Sequence, residues 1–198
     1  MMKKNLLLIG LCLLFAVSCN QADKKAQQKE KEIPAAETNE PKVEIAVEDF
    51  VDLITQQNEA AAAQCGMKFI YEDEIASEDG DAGMYTVVFG KDVEKGTKDE
   101  EFGYALKFTS DHAYYFDVFE ATSINLNLCF VNEADAKHMY EKLAQQEEIK
   151  GFSVDKQRNQ LGDEYILLRG IDDESVMIEI DQPVCEDGVC RIEIYQYV

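Results

Sequence analysis

Near its C-terminus the chain reads Cys185-Glu186-Asp187-Gly188-Val189-Cys190. Asp-Gly flanked by two short arms is a preferred centre for a two-residue type I′ turn. Such a turn makes Glu186 and Val189 the hydrogen-bonded pair. It sets Cys185 opposite Cys190 at the closer, non-hydrogen-bonded spacing. That spacing suits a disulfide, so the stretch reads as an antiparallel hairpin with a covalent clasp. By loop entropy a ring this short is worth about 2 kcal/mol. A redox or zinc role is disfavoured, because two cysteines without further cysteines or histidines nearby are too few ligands for zinc.

The rest of the chain carries compatible signals. Val47, Phe50, Val51, Ile54 and Ala61 recur at helical spacing and predict one helix over 46–64, with Gly66 as its cap. A second helix starts at Asn132, with Asp135 in an imperfect capping box, and carries the stripe Ala136, Met139, Tyr140, Leu143 and Ala144. Between the helices, β-rich runs fall at Met67–Tyr71, Met84–Phe89, Gly103–Thr109, Ala113–Phe119 and Ile124–Phe130. Gly103–Thr109 and Ala113–Phe119 read as a hairpin about Ser110-Asp111-His112, and Lys91–Glu101 as a polar turn. Phe152–Lys156, Glu164–Arg169, Ser175–Asp181 and Val189–Val198 supply four more strands. Short connections between strands require a largely antiparallel sheet. The expected class is α+β, with two helices packed on that sheet. The order helix, strands, helix, strands also admits a degenerate tandem helix-plus-strands unit. A helix gripped by an antiparallel sheet resembles cystatin-like and inhibitor-like layouts, a likeness from which no function follows.

The N-terminus adds an address. Lys3 and Lys4 precede an apolar run from Leu6 to Val17, followed by small residues up to Cys19. This is the three-part pattern of a secretory signal, and the run is too short for a membrane span, which needs about 20 residues. Ala16-Val17-Ser18-Cys19 resembles the lipobox of bacterial lipoproteins, with Ala16 where leucine is commoner. The resemblance covers residues 1–19. It implies cleavage before Cys19, a diacylglycerol on its thiol and an acylated amine. The chain is then held at a bacterial membrane by lipid, its body extracytoplasmic and the outer membrane its expected home. Residues 20–45 lack aromatics and hold Pro34 and Pro41. They read as a disordered tether reaching roughly 30 Å. One domain remains, over 46–198.

That domain is strongly acidic. The signal and the tether hold seven of the chain's 19 basic residues and six of its 40 acidic ones, so 46–198 carries 22 excess negative charges. Such a surface repels nucleic acid and anionic headgroups and favours cationic partners or divalent metal. Export places the remaining cysteines in an oxidising compartment. Cys65 and Cys129 either form a second bridge, worth roughly 4 kcal/mol, or stay as buried thiols.

Candidate sites are sparse. The acidic stretch holding Glu78, Asp79 and Asp81 offers oxygen ligands for calcium, though without the spacing of a calcium-binding loop. A solvated acidic loop is the simpler reading. Tyr114, Tyr115 and Phe116 lie on one strand, Tyr114 and Phe116 on one face and Tyr115 on the other beside Asp117. One set is core. The other is either an exposed aromatic binding patch or a second packed layer. His112 and His138 read as solvent-facing, and no nucleophile elbow, zinc helix or phosphate loop is present. The sequence therefore favours an envelope lipoprotein whose domain binds a protein or ligand without catalysis or cofactor. The alternatives are an inhibitor of an extracytoplasmic enzyme and a hydrolase with an unrecognised site.

Overall fold

The structure, a computed structural model, describes residues 40–75, 83–99, 103–121 and 123–197. Among the described residues three short helices are present where two were expected: α1 (Val47–Gln56), α2 (Glu59–Gln64) and α3 (Glu133–Ala144). The single helix expected over 46–64 breaks for a local reason. Gln57 turns left-handed, with φ 49°, and its N–H closes α1 on the Leu53 carbonyl. Asn58 then starts α2 by accepting a hydrogen bond from the Ala61 N–H, as asparagine does at helix starts.

Among the described residues there are twelve strands, with α1 and α2 before β1 and α3 between β6 and β7: β1 (Lys68–Ile75), β2 (Met84–Lys91), β3 (Val93–Asp99), β4 (Gly103–Phe108), β5 (Tyr114–Glu120), β6 (Ile124–Phe130), β7 (Glu148–Ile149), β8 (Phe152–Arg158), β9 (Glu164–Gly170), β10 (Met177–Asp181), β11 (Val184–Glu186) and β12 (Val189–Tyr197). Ten form one sheet in the order β1-β2-β5-β6-β12-β10-β9-β8-β7, with β11 also paired to β12. Every pairing is antiparallel. The architecture is α+β, a mostly antiparallel sheet with a few short helices.

The hairpin expected between Gly103–Thr109 and Ala113–Phe119 does not form. β5 pairs instead with β2 and β6, while β4 pairs with β3 in a separate ribbon. The segment read as a polar turn is β3 itself. Its lysines, glutamate and glycine give no apolar alternation, and only Val93 at its start is deeply buried. The Thr109 N–H and hydroxyl both donate to the Asp92 carbonyl at 2.9 Å, closing the ribbon at its base. Gly90 permits the fold-back, because a Cβ there would lie 2.9 Å from that of Val93.

Period-two alternation divides the sheet into two faces. One carries Phe116, Val118, Leu126, Leu128, Phe130, Ile166, Leu168, Ile178, Ile180, Ile192 and Ile194, and the helices cover it with Phe50, Leu53, Ile54 and Leu143. Burial begins before residue 46. Val43 and Ile45, expected in the tether, are buried. Asp135 accepts hydrogen bonds from the Lys42 and Val43 N–H groups instead of completing a capping box. Lys142 adds a bond from Nζ to the Ile45 carbonyl at 3.2 Å. The start of the domain is thus fastened to α3.

The C-terminal hairpin forms as its sequence dictates. Asp187 and Gly188 take φ values of 50° and 80°, Glu186 faces Val189 and Cys185 faces Cys190. The last two are joined by a disulfide. Replacing both with serine is expected to cost about 2 kcal/mol, read from urea unfolding of the oxidised protein against the double variant. An unchanged midpoint would remove the stapling role.

The second bridge is absent. Cys65 and Cys129 are free and buried, and they occupy opposite sides of the sheet. Cys65 packs in the helix-covered core, with its carbonyl accepting the Tyr114 hydroxyl at 2.6 Å. Cys129 alternates with the core residues Leu128 and Phe130 and so faces the other way, level with Tyr115 and Arg191. A disulfide cannot reach through a sheet.

Candidate functional site: the helix-free face

The second face of the sheet has two halves. Over β1, β2 and β5 the β3–β4 ribbon lies as a lid. Tyr104 packs on Tyr71, with ring centroids 5.1 Å apart, and Phe108 stacks on Tyr115 at 6.2 Å. Lys98 pairs with Asp73 at 3.0 Å. Lys95 holds its ammonium 3.5 Å from the Tyr104 ring centroid and 5.6 Å from that of Tyr71, within cation–π range. Tyr71, Val88, Val93 and Cys129 are buried in this secondary layer.

Over β12, β10, β9 and β8 neither helix nor ribbon among the described residues covers that face. Its residues are set by register. One row runs Tyr195, Glu179, Leu167, Asp155, and the next Tyr197, Met177, Arg169, Ser153. Asp181 stands opposite Tyr165 and Gln157. Toward the ribbon, Asp117, Asn127 and Glu193 form a further row, beside Tyr115, Cys129 and Arg191. Shallow grooves of about 170 and 200 Å³ open here, sharing Arg191 and Glu193 as walls. Gln182 and Pro183 interrupt the strand between β10 and β11, as proline does at bulges.

The electrostatics of this face are those of crowded carboxylates. Glu179 is pushed above the usual carboxylate range by partial burial and then by Asp181. Asp181 is raised by burial, then by Glu193 and Asp163. Glu193 accepts the Tyr195 hydroxyl at 2.7 Å and Arg191 at 3.3 Å. The Tyr195 phenol is raised by that bond first and by burial second. Asp117 keeps some accessible surface, yet protein atoms crowd it, and burial raises it to about 6 against the opposing pull of Asn127 and Arg191. Asn127 donates to it at 2.7 Å. Of the three carboxylates Glu179, Asp181 and Glu193, only Glu193 is ion-paired, with Arg191, and the group lies beside the phenols of Tyr165 and Tyr195. A cation laid on this surface offsets the mutual repulsion that adds to burial in raising the acids.

A larger hollow, about 510 Å³, lies beside α3 between Pro41 and the side chains of Glu133, Lys137, His138 and Glu141. Its charges are largely self-compensated, with Lys137 held by Glu133 at 2.5 Å. Among the described residues no group of three or more His, Cys, Asp or Glu is placed to hold a metal ion.

The residues expected from sequence fare unevenly. Tyr114 and Phe116 are not an exposed patch. They are 6% and 0% exposed, and Tyr114 stacks on Phe130 within the core. Tyr115 faces the other way and is covered by Phe108, so both sides of β5 are packed layers. Glu78, Asp79, Asp81 and Cys19 lie outside the described residues. His112 sits on the turn before β5 with its Nδ1 2.9 Å from Asp111. The nearby Ser110 hydroxyl donates to Asp92 and not to the imidazole. His138 is half-buried on α3.

The helix-free residues escaped the sequence reading although their signal was present. In β12 the odd positions Arg191, Glu193, Tyr195 and Tyr197 alternate with Ile192 and Ile194. In β10 the positions alternating with Ile178 and Ile180 are Met177, Glu179 and Asp181. The composition of that outward face is the site. Comparison with known protein families, with curated proteins and with solved structures gives no match for this chain.

Proposed function

We propose that the chain is a lipid-anchored lipoprotein of the bacterial envelope, and that its tethered domain is a non-enzymatic binding module for a basic protein partner. The anchor part rests on the signal and on Cys19. The binding part rests on one observation, the uncovered acidic and tyrosine-bearing half of the helix-free face. Most soluble sheets leave one face to water with scattered polar residues. Here the uncovered face gathers Glu179, Asp181 and Glu193 with the half-buried Tyr165 and Tyr195, and burial first and neighbouring carboxylates second hold Glu179 and Asp181 above the usual carboxylate range. That mixture of rigid aromatic area and unsatisfied negative potential suits recognition of a cationic protein surface.

The tandem reading supports the choice of this half. β1-β2-β5-β6 follows α1 and α2, β8-β9-β10-β12 follows α3, and the last strands of the two sets, β6 and β12, pair at the centre of the sheet. We read them as two degenerate copies of one helix-plus-four-strand unit. The first copy has its helix-free face closed by an inserted ribbon. The second does not.

The test is binding of a labelled oligolysine peptide to the full-length protein in detergent. Glu179→Gln with Asp181→Asn keeps the shape and relieves the internal repulsion, so the fold is retained. Affinity is expected to fall about tenfold, equivalent to ~1.4 kcal/mol, and its salt dependence to flatten. Equal affinity in wild type and double variant would remove the face as the binding surface.

A further inference from the structure

On the helix-covered side the core ends in a hollow of about 320 Å³, between α3 and the margins of β8, β9 and β10. Its walls follow from the two periodicities. On α3, Lys137, Tyr140, Glu141 and Ala144 share one face at spacings of three and four. In β8 and β9, Lys156 and Glu164 end rows whose inner members, Val154, Ile166 and Leu168, belong to the core. Gln182 and Pro183, just past β10, complete the rim. Concavities of this size with a few convergent polar groups are where small ligands bind.

Tyr140 marks the hollow. It is only 9% exposed, yet no described residue hydrogen-bonds its hydroxyl, which opens on this space. Buried phenols ordinarily find a partner. The other core tyrosine, Tyr114, gives its hydroxyl to the Cys65 carbonyl. Burial first, then Glu164 and Asp181, push the Tyr140 phenol up to about 12, so it stays a neutral donor at physiological pH. The charges around it are of both signs. Lys137 is paired with Glu133, and Glu164 with Arg158. Lys156 on β8 and Glu141 on α3 form no ion pair with any described residue. In a strongly acidic domain, the four ionised groups of this hollow, two lysines and two glutamates, balance.

We propose that the hollow is a binding site for a small zwitterion, a dipeptide with both termini free. The carboxylate of the ligand lies between the Lys156 ammonium and the Tyr140 hydroxyl, and its ammonium meets Glu141. Charge-assisted bonds of this kind are the strong ones. The Gln182 amide serves the peptide group, and Ala144 and Pro183 offer apolar contact to small side chains. A purely cationic ligand would leave Lys156 unmatched, and a purely anionic one Glu141. The hollow shares Lys137 and Glu141 with the larger one beside Pro41, so it continues along α3 and leaves room for the second residue. Because it lies on the opposite side of the sheet from Glu179 and Glu193, it stands or falls independently of the basic-partner reading.

The probe is L-alanyl-L-alanine, titrated calorimetrically into the full-length protein in neutral detergent, beside its N-acetyl and C-terminal amide forms. The free dipeptide is expected to bind about tenfold more tightly than either blocked form. Tyr140→Phe removes the hydroxyl and keeps the buried ring, and is expected to weaken the free dipeptide about tenfold. Lys156→Gln, at an exposed position, should abolish discrimination against the amide form. Glu141→Gln should abolish it against the N-acetyl form. Equal affinity for the three compounds, or no heat from any of them at millimolar concentration, would overturn the site. So would wild-type affinity in Tyr140→Phe, or discrimination against the amide that survives Lys156→Gln.

Discussion

Cys19→Ser is expected to abolish incorporation of radioactive palmitate and to leave the leader uncleaved, so that the product migrates larger than the mature wild type. The proposed anchor makes this an all-or-none effect. In that proposal the thiol is the acceptor for diacylglycerol, and cleavage before residue 19 would follow that transfer. Serine at the same place has a poorer nucleophile and accepts no lipid. Each buried methylene contributes about 0.8 kcal/mol to membrane attachment, and stable anchoring takes two or more chains. In the variant the uncleaved apolar run Leu6–Val17 is the remaining membrane-seeking segment, which is why label and size, not membrane association, are the readout. Among the described residues no helix is long and apolar enough to cross a membrane. The body's large negative charge repels anionic headgroups. Metabolic labelling followed by gel separation checks the expectation. A serine variant that still carried the label would overturn the anchor at Cys19, and with it the export argument that places the cysteines in an oxidising compartment.

How much of this molecule could be read from its sequence depends on the range of the forces concerned. The Cys185-to-Cys190 hairpin was legible because turn type, register and pairing are all fixed within six residues. The β6 strand was legible because Leu126, Leu128 and Phe130 alternate cleanly against Asn125 and Asn127. The helix break at Gln57-Asn58 was written in the asparagine but was overridden by the apolar spacing on either side. β3 failed the pattern test because its lysines are held by contacts far along the chain, with Asp73, Tyr71 and Tyr104. Its hydrophobic content gives no hint of burial. The aromatic cluster was recognised, but the choice between binding patch and second packed layer was not legible, since which neighbours cover Tyr115 depends on where an inserted ribbon folds. The acidic face was missed for a related reason. Glu179, Asp181 and Glu193 lie on two strands, and only the register of β10 against β12 brings them together. The overall negative charge favours cationic partners in general but could not single out a surface for one.

Asp117→Asn is expected to stabilise the protein by about 3 kcal/mol at neutral pH. The carboxyl lies at the boundary between the ribbon-covered and open halves of the face. Asn127 donates to it from β6, and Arg191 on β12 attracts it. Tyr71 on β1, Tyr115 on its own strand and Cys129 on β6 are the other titratable groups that feel its charge. Glu193 stands in the same register row. Desolvation outweighs the two attractions and raises the carboxyl from 3.8 to about 6. A folded-state value above the unfolded one means that the folded protein holds the proton more tightly. Ionised Asp117 therefore destabilises the fold fully above about pH 6. As pH falls from there toward the unfolded value of 3.8, protonation returns the lost stability. A shift of about two units corresponds to roughly 3 kcal/mol. Asparagine is neutral at every pH and retains an oxygen for the Asn127 donor. The difference between variant and wild type should thus be largest at pH 7.5, shrink through pH 5 and vanish near pH 4. Urea unfolding midpoints for both proteins at those three values measure it. A variant less stable than wild type at pH 7.5, or a difference that ignores pH, would show that the Asn127 and Arg191 interactions outweigh burial at this carboxyl.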